Sequence, residues 1–123
     1  MANNYESLDV WQECQLFRNQ ISSTVKTFPI EEKYRLSDQL IRASRSVTAN
    51  IAEGHGRYHF QENTQFCRQG RGSLTEILDH LICTFDENYI SDNQLSEFRV
   101  LYEKWLKLLN GYIGYLQKQK NSF

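Results

Sequence analysis

Apolar side chains recur at steps of three and four through four long stretches of this chain, and that period belongs to the α-helix. Leu8, Trp11, Cys14, Phe17, Ile21, Val25 and Phe28 mark the first stretch, expected as a helix over about 8–28. Ser7 stands where an N-cap hydroxyl is useful, and Pro29 pushes the residue before it out of the helical region. Leu36, Leu40, Ser44, Val47 and Ile51 mark the second, over about 37–53, with Ser37 as the expected cap. Gly54 follows where helices commonly end in a left-handed residue. Phe66, Gly70, Leu74, Ile77, Leu81 and Phe85 mark the third, over 60–85. Leu95, Phe98, Tyr102, Trp105, Leu109, Tyr112 and Leu116 mark the fourth, over 92–117. Ser91-Asp92-Asn93-Gln94 spells a capping box in front of it.

Short breaks between four amphipathic helices dictate antiparallel neighbours. The expected architecture is all-α, an up-down-up-down four-helix bundle in a single domain over 1–123. Residues 30–36 read as a short turn of helix, Gly54-His55-Gly56 as a turn, and the polar tail Lys118–Ser122 as frayed. The second helix is poor in bulk at Ala43, Ser44, Ser46, Thr48, Ala49 and Ala52, so another helix can approach it closely. Gly70 and Gly72 each weaken a helix by about 1 kcal/mol relative to Ala, which points to close packing or a kink there. One Pro and six Gly among 123 residues argue against a sandwich or barrel, which need many turns. No apolar run reaches the roughly 20 residues that span a bilayer, and no secretory signal opens the chain. Cys14, Cys67 and Cys83 are an odd number without a CxxC, so no disulfide framework is expected and a cytoplasmic location is.

The net charge of −1 hides an asymmetry: residues 1–32 carry −3, residues 33–72 carry +4 and residues 73–123 carry −2. Six of the eight arginines, Arg35, Arg42, Arg45, Arg57, Arg68 and Arg71, fall in the middle third. Arg35, Asp38, Arg42 and Arg45 share one face of the second helix, pointing away from the core at about 100° per residue. Arginine's planar fork binds phosphate bidentately and stacks on bases, and Tyr34, Tyr58 and Phe60 are interleaved with the arginines. A helical hairpin is expected to bring parts of the two arginine sets together. The alternatives are a solvated face, or ion pairs with acidic helices of the same or a neighbouring subunit. His55 and His59 lack a third ligand, so no metal is expected. Glu76, Asp79 and His80 read as a structural ion-pair group, and the thiols as buried and inert. No catalytic signature stands out, and neither enzyme activity nor a cofactor is expected.

Leu8-Asp9-Val10-Trp11-Gln12, Phe28-Pro29-Ile30-Glu31-Glu32-Lys33-Tyr34-Arg35-Leu36, Gln39-Leu40-Ile41-Arg42-Ala43, Asn50-Ile51-Ala52-Glu53-Gly54 with Arg57, and Gly72-Ser73-Leu74 with Glu76 together resemble a known pattern. It is that of the bacterial four-helix-bundle family first met as proteins encoded in intervening sequences of large-subunit ribosomal RNA. The chain is also similar to the accessory variability determinant of diversity-generating retroelements. The resemblance implies a ring, typically a homopentamer with a basic central channel. The sequence departs from the family at Arg45, usually apolar, at Thr48, often Pro, at Asn63, commonly Phe, and at Gly70, commonly Ala. The resulting expectation is a non-enzymatic, oligomeric RNA- or DNA-binding protein whose six clustered arginines meet phosphates. The alternative is an oligomeric adaptor for a protein partner, for example a reverse transcriptase, whose arginines serve interfaces.

Overall fold

The computed structural model of the chain describes residues 4–121. Residues 1–3, Ser122 and Phe123, the outer ends of the expected domain and tail, lie outside the described residues. A 3-10 turn at Tyr5–Ser7 leads into α1 (Asp9–Val25), and a second at Ile30–Glu32 leads into α2 (Leu36–Gly56). Two long helices follow, α3 (Phe60–Asp86) and α4 (Asp92–Asn121), and the described residues contain no strand. The four helices run up, down, up and down, as the apolar period predicts.

Their inner stripes meet in one core. Phe17, Ile21, Leu40, Val47, Ile51, Leu74, Ile77, Leu81, Trp105, Leu109 and Leu116 are all at most 2% exposed. The Phe17 and Trp105 rings stack at 4.2 Å between centroids and 14° between planes, pinning α1 to α4. The Trp105 Nε1–H is buried without a hydrogen-bond partner, a group native cores seldom leave unmet.

The seams are unequal. α2 and α3 share the most extensive one, and α1 and α4 the least. Small residues explain the first. A Cβ built on Gly54 would lie 2.7 Å from the Asn63 Oδ1 and 3.0 Å from the Asn63 carbonyl oxygen. One built on Gly70 would sit 3.4 Å from the Val47 carbonyl oxygen and from the Asn50 Cβ. The Ser46 and Ser73 hydroxyls meet across the same seam at 2.9 Å. Gly72 has open space around it, and a Cβ at Gly70 would make ordinary van der Waals contact, so of the three only Gly54 is required by close packing.

Several boundaries differ from the sequence reading. α1 starts after Leu8, whose extended backbone (φ −75°, ψ 126°) takes the cap position without a side-chain hydrogen bond. Ser7 closes the preceding turn instead, its hydroxyl donating to the Asn4 carbonyl at 2.8 Å. α1 ends at Val25, because the Thr27 hydroxyl donates to the Thr24 carbonyl at 2.7 Å and turns the chain early. Arg35, not Ser37, occupies the cap position of α2. α2 does not stop at Gly54 but runs through Gly56, and no described glycine has a positive φ. The left-handed residue is Tyr58, at φ 60°, a conformation that costs a non-glycine residue roughly 1–2 kcal/mol. α4 stays helical to Asn121, beyond the fraying expected from Lys118. The capping box at its start forms as spelled: the Gln94 N–H donates to the Ser91 hydroxyl at 3.1 Å, and the Ser91 N–H to the Gln94 side-chain oxygen at 2.8 Å.

Candidate nucleic-acid interface

The six arginines fall into three places. Arg42 and Arg45 stand exposed on the outer face of α2, because they are out of phase with the buried Leu36, Leu40, Ala43, Ser44 and Val47, and Arg35 stands exposed at the cap position of the helix. The Arg42 Nη1 is 3.5 Å from the Asp38 carboxylate one turn earlier, and its side chain is 79% exposed. Such a surface pair is worth about 0–1 kcal/mol, so a phosphate competes with it easily. No described carboxylate lies within ion-pair distance of Arg35 or Arg45.

Arg57 is engaged at the α2–α3 turn. Its guanidinium donates to the Glu53 carboxylate at 3.0 Å, sits 3.8 Å from the Glu62 carboxylate and lies over the Phe66 ring at 5.1 Å. It fastens the turn. Arg71, half-buried, donates to the Asn110 side-chain oxygen at 2.8 Å, which turns it toward α4. Arg68 is exposed on α3. The Asn110 contact directs Arg71 at α4 and not at the α2 arginines. Phe66, Gly70 and Ser73 face α2, and Arg71, one residue past Gly70, is rotated about 100° away from that seam.

A further arginine reaches α2 from α1. Arg18 of α1 donates from Nη1 to the Thr48 hydroxyl at 3.0 Å, and that hydroxyl donates to the Arg45 carbonyl at 3.2 Å. Arg18 is thus anchored beside the turn of α2 that carries Arg45. It lies in the acidic first third of the sequence, and only the α1–α2 register could have revealed it.

The other constellations are quiet. His80 Nε2 meets the Glu76 carboxylate at 3.2 Å one turn away, the structural pair that the spacing suggested. No group of three His, Cys, Asp or Glu among the described residues is placed to hold a metal ion. Burial pushes the Cys14 thiol up to about 12, with Glu13 and Cys67 adding to it, and burial alone lifts Cys67 to about 12. Both thiols stay protonated and poorly nucleophilic at neutral pH. Cys83 is exposed, yet desolvation and then Glu87, Asp86 and Asp79 raise its thiol as well. No described helix is long and apolar enough to cross a membrane.

The loose α1–α4 seam opens as a groove of about 640 Å³. Leu16, Phe98, Leu101 and Trp105 contribute its apolar surface, and a Glu13–Lys104 ion pair at 3.4 Å joins two of its lining residues.

Residues 6–111 match the model of the 23S rRNA-intervening sequence protein family. The chain belongs to that family. The resemblance carried by the Phe-Pro, Asn-Ile-Ala-Glu-Gly and Gly-Ser-Leu segments is therefore correct at the family level. A crystal structure of a protein with unknown function from the S23 ribosomal protein family, from Bacteroides thetaiotaomicron, has a similar fold, with a TM-score of 0.78. The two are 22% identical over 85% of this chain and 95% of that one, a likeness of fold alone. None of the curated proteins matches the chain.

Proposed function

We propose that this family member is a non-enzymatic, cytoplasmic nucleic-acid-binding protein that works as a ring-like homo-oligomer, a pentamer by family resemblance. The observation that carries the reading is the outer face of α2, where Arg35, Arg42 and Arg45 project into solvent with a single loose carboxylate partner between them. Arg18, half-buried and held at Thr48, brings a further positive charge beside α2. Exposed guanidinium groups in a row along one helix suit phosphates spaced along a strand, and a ring repeats the row at a fixed radius. Arg18, Arg57 and Arg71, all engaged within the fold, contribute less than the exposed α2 set, and Arg68 offers a separate contact on α3.

Fluorescence anisotropy of a labelled oligonucleotide across a salt series tests this reading. Binding that weakens linearly in log–log form with salt supports it, and no binding at low salt overturns it. Light scattering that gives 14.6 kDa at micromolar concentration removes the ring.

The α1–α4 groove favours a second reading. Its apolar surface, with Leu16 57% exposed, suits a partner protein, such as a reverse transcriptase served by a retroelement accessory factor. Co-purification of a protein partner without nucleic acid selects that reading over the first.

A further inference from the structure

Seven large hydrophobic side chains among the described residues are exposed, and three of them, Tyr58, Phe60 and Tyr115, line one small cleft. The cleft has a volume of about 290 Å³ and lies where the α2–α3 turn meets the last turns of α4. Tyr58 is 88% exposed and Tyr115 54%. The Tyr115 ring also stacks on Tyr112 at 6.3 Å and 15°, which holds an aromatic wall in place.

Tyr58 carries the argument furthest. It sits at φ 60°, where glycine or asparagine closes a helix with less strain. Its ring is almost wholly in solvent, so packing does not explain the choice. Strained non-glycine residues of this kind gather at ligand sites, because the side chain is wanted where the backbone must turn. The polar groups of the cleft point to the ligand's chemistry. His55 and His59 line it. The Asn63 amide donates to the Tyr112 hydroxyl at 3.3 Å, which leaves that hydroxyl's proton available as a donor. Leu8, Phe60 and Leu116 complete the lining, so the cleft offers apolar and aromatic surface with a few polar groups beside it, a composition that suits the faces and the hydrogen-bonding edge of a planar ring. The volume lies just below the roughly 300–1,000 Å³ of ligand clefts, which suits one ring system and nothing larger.

We infer that this cleft captures one unstacked base of a single-stranded nucleic acid between Tyr58 and Tyr115, with His55, His59 and the Tyr112 hydroxyl facing the base edge. The inference rests on the nucleic-acid reading above and deepens it: the arginines of α2 hold phosphates, and the cleft discriminates single strands from duplexes. Base–aromatic stacking is sequence-tolerant and accounts for roughly 5- to 150-fold in affinity per ring lost.

The test compares wild type, Tyr58→Gly and Tyr115→Ala on a 2-aminopurine-containing single-stranded DNA and on its duplex. Tyr58→Gly removes the ring and the backbone strain together, so it should melt no lower than wild type, and any loss of binding is not a loss of fold. Each variant should bind the single strand about tenfold more weakly, with less 2-aminopurine quenching, while duplex affinity and salt slope stay unchanged. Wild-type and variant affinities that are equal for the single strand, with salt-dependent binding intact, overturn the cleft and leave the phosphate reading standing. No wild-type binding to either DNA at low salt overturns both. Binding of aromatic peptides alone, lost in Tyr58→Gly, replaces the base with a protein side chain and also overturns the inference.

Discussion

Gly54 has no room for a side chain. Its missing Cβ is replaced by the Asn63 side-chain oxygen at 2.7 Å, the Asn63 carbonyl at 3.0 Å and the Phe66 Cβ at 3.0 Å. From the sequence, a glycine after a helical stripe reads as a terminator, since that is its commonest use. The partner that makes it a packing residue lies on another helix, and single-sequence periodicity carries no information about that register. Gly72, on the opposite side of α3 from this crowding, faces open space. The two sites therefore respond with opposite signs. Gly54→Ala should destabilise the chain by roughly 1–3 kcal/mol through overpacking against backbone. Gly72→Ala should stabilise it by about 1 kcal/mol, the helix-propensity difference. Urea unfolding of both variants checks the contrast, and equal shifts of one sign would contradict the packing account.

At the scale of elements, the long stripes were legible because burial follows the 3.6-residue period whatever the partner. Leu40, Val47 and Ile51 on α2, and Leu74, Ile77 and Leu81 on α3, are fully buried, as spaced. The start of α4 was legible because its cap is written in side chains. The Ser91 hydroxyl accepts the Gln94 N–H, so Ser91→Ala should cost about 1 kcal/mol in urea unfolding. The starts of α1 and α2 were not legible, because Leu8 and Arg35 stand at the caps without a side-chain bond. Backbone geometry alone decides those two ends, and nearby serines mislead. Element packing also sets the weight of Trp105. Its ring stacks on Phe17 and bridges the loosest seam of the bundle, which is otherwise opened by the α1–α4 groove. Trp105→Ala should cost roughly 3–5 kcal/mol, read as a lower melting temperature by circular dichroism. An unchanged melting temperature would mean that α4 is held elsewhere.

For the whole molecule, the sequence located the positive charge and missed how the fold divides it. Counting placed six arginines in one third of the chain, but azimuth sends Arg71 to Asn110 on α4, and local carboxylates occupy Arg57. The set left facing outward together is Arg35, Arg42 and Arg45, with Arg18 joined through Thr48. Three or four cations on a single subunit, one of them shared with Asp38, make a weak phosphate site. The proposed ring changes this by repetition, since every neutralised phosphate of a duplex adds about 0.9 to the magnitude of the salt slope, and of a single strand about 0.7. Arg42→Ala combined with Arg45→Ala removes two exposed side chains that take no part in the core, so helicity and melting should stay near wild type. The salt slope of oligonucleotide binding should fall by about 0.9 for each duplex phosphate no longer met, and affinity at low salt should fall most. Anisotropy across a salt series, with light scattering on the same samples, separates the outcomes. An unchanged slope would move the phosphate contacts to other cations, Arg68 foremost. A variant that remains helical but falls to 14.6 kDa would instead make these arginines subunit contacts, since a residue that only meets phosphate has no effect on mass in the absence of nucleic acid.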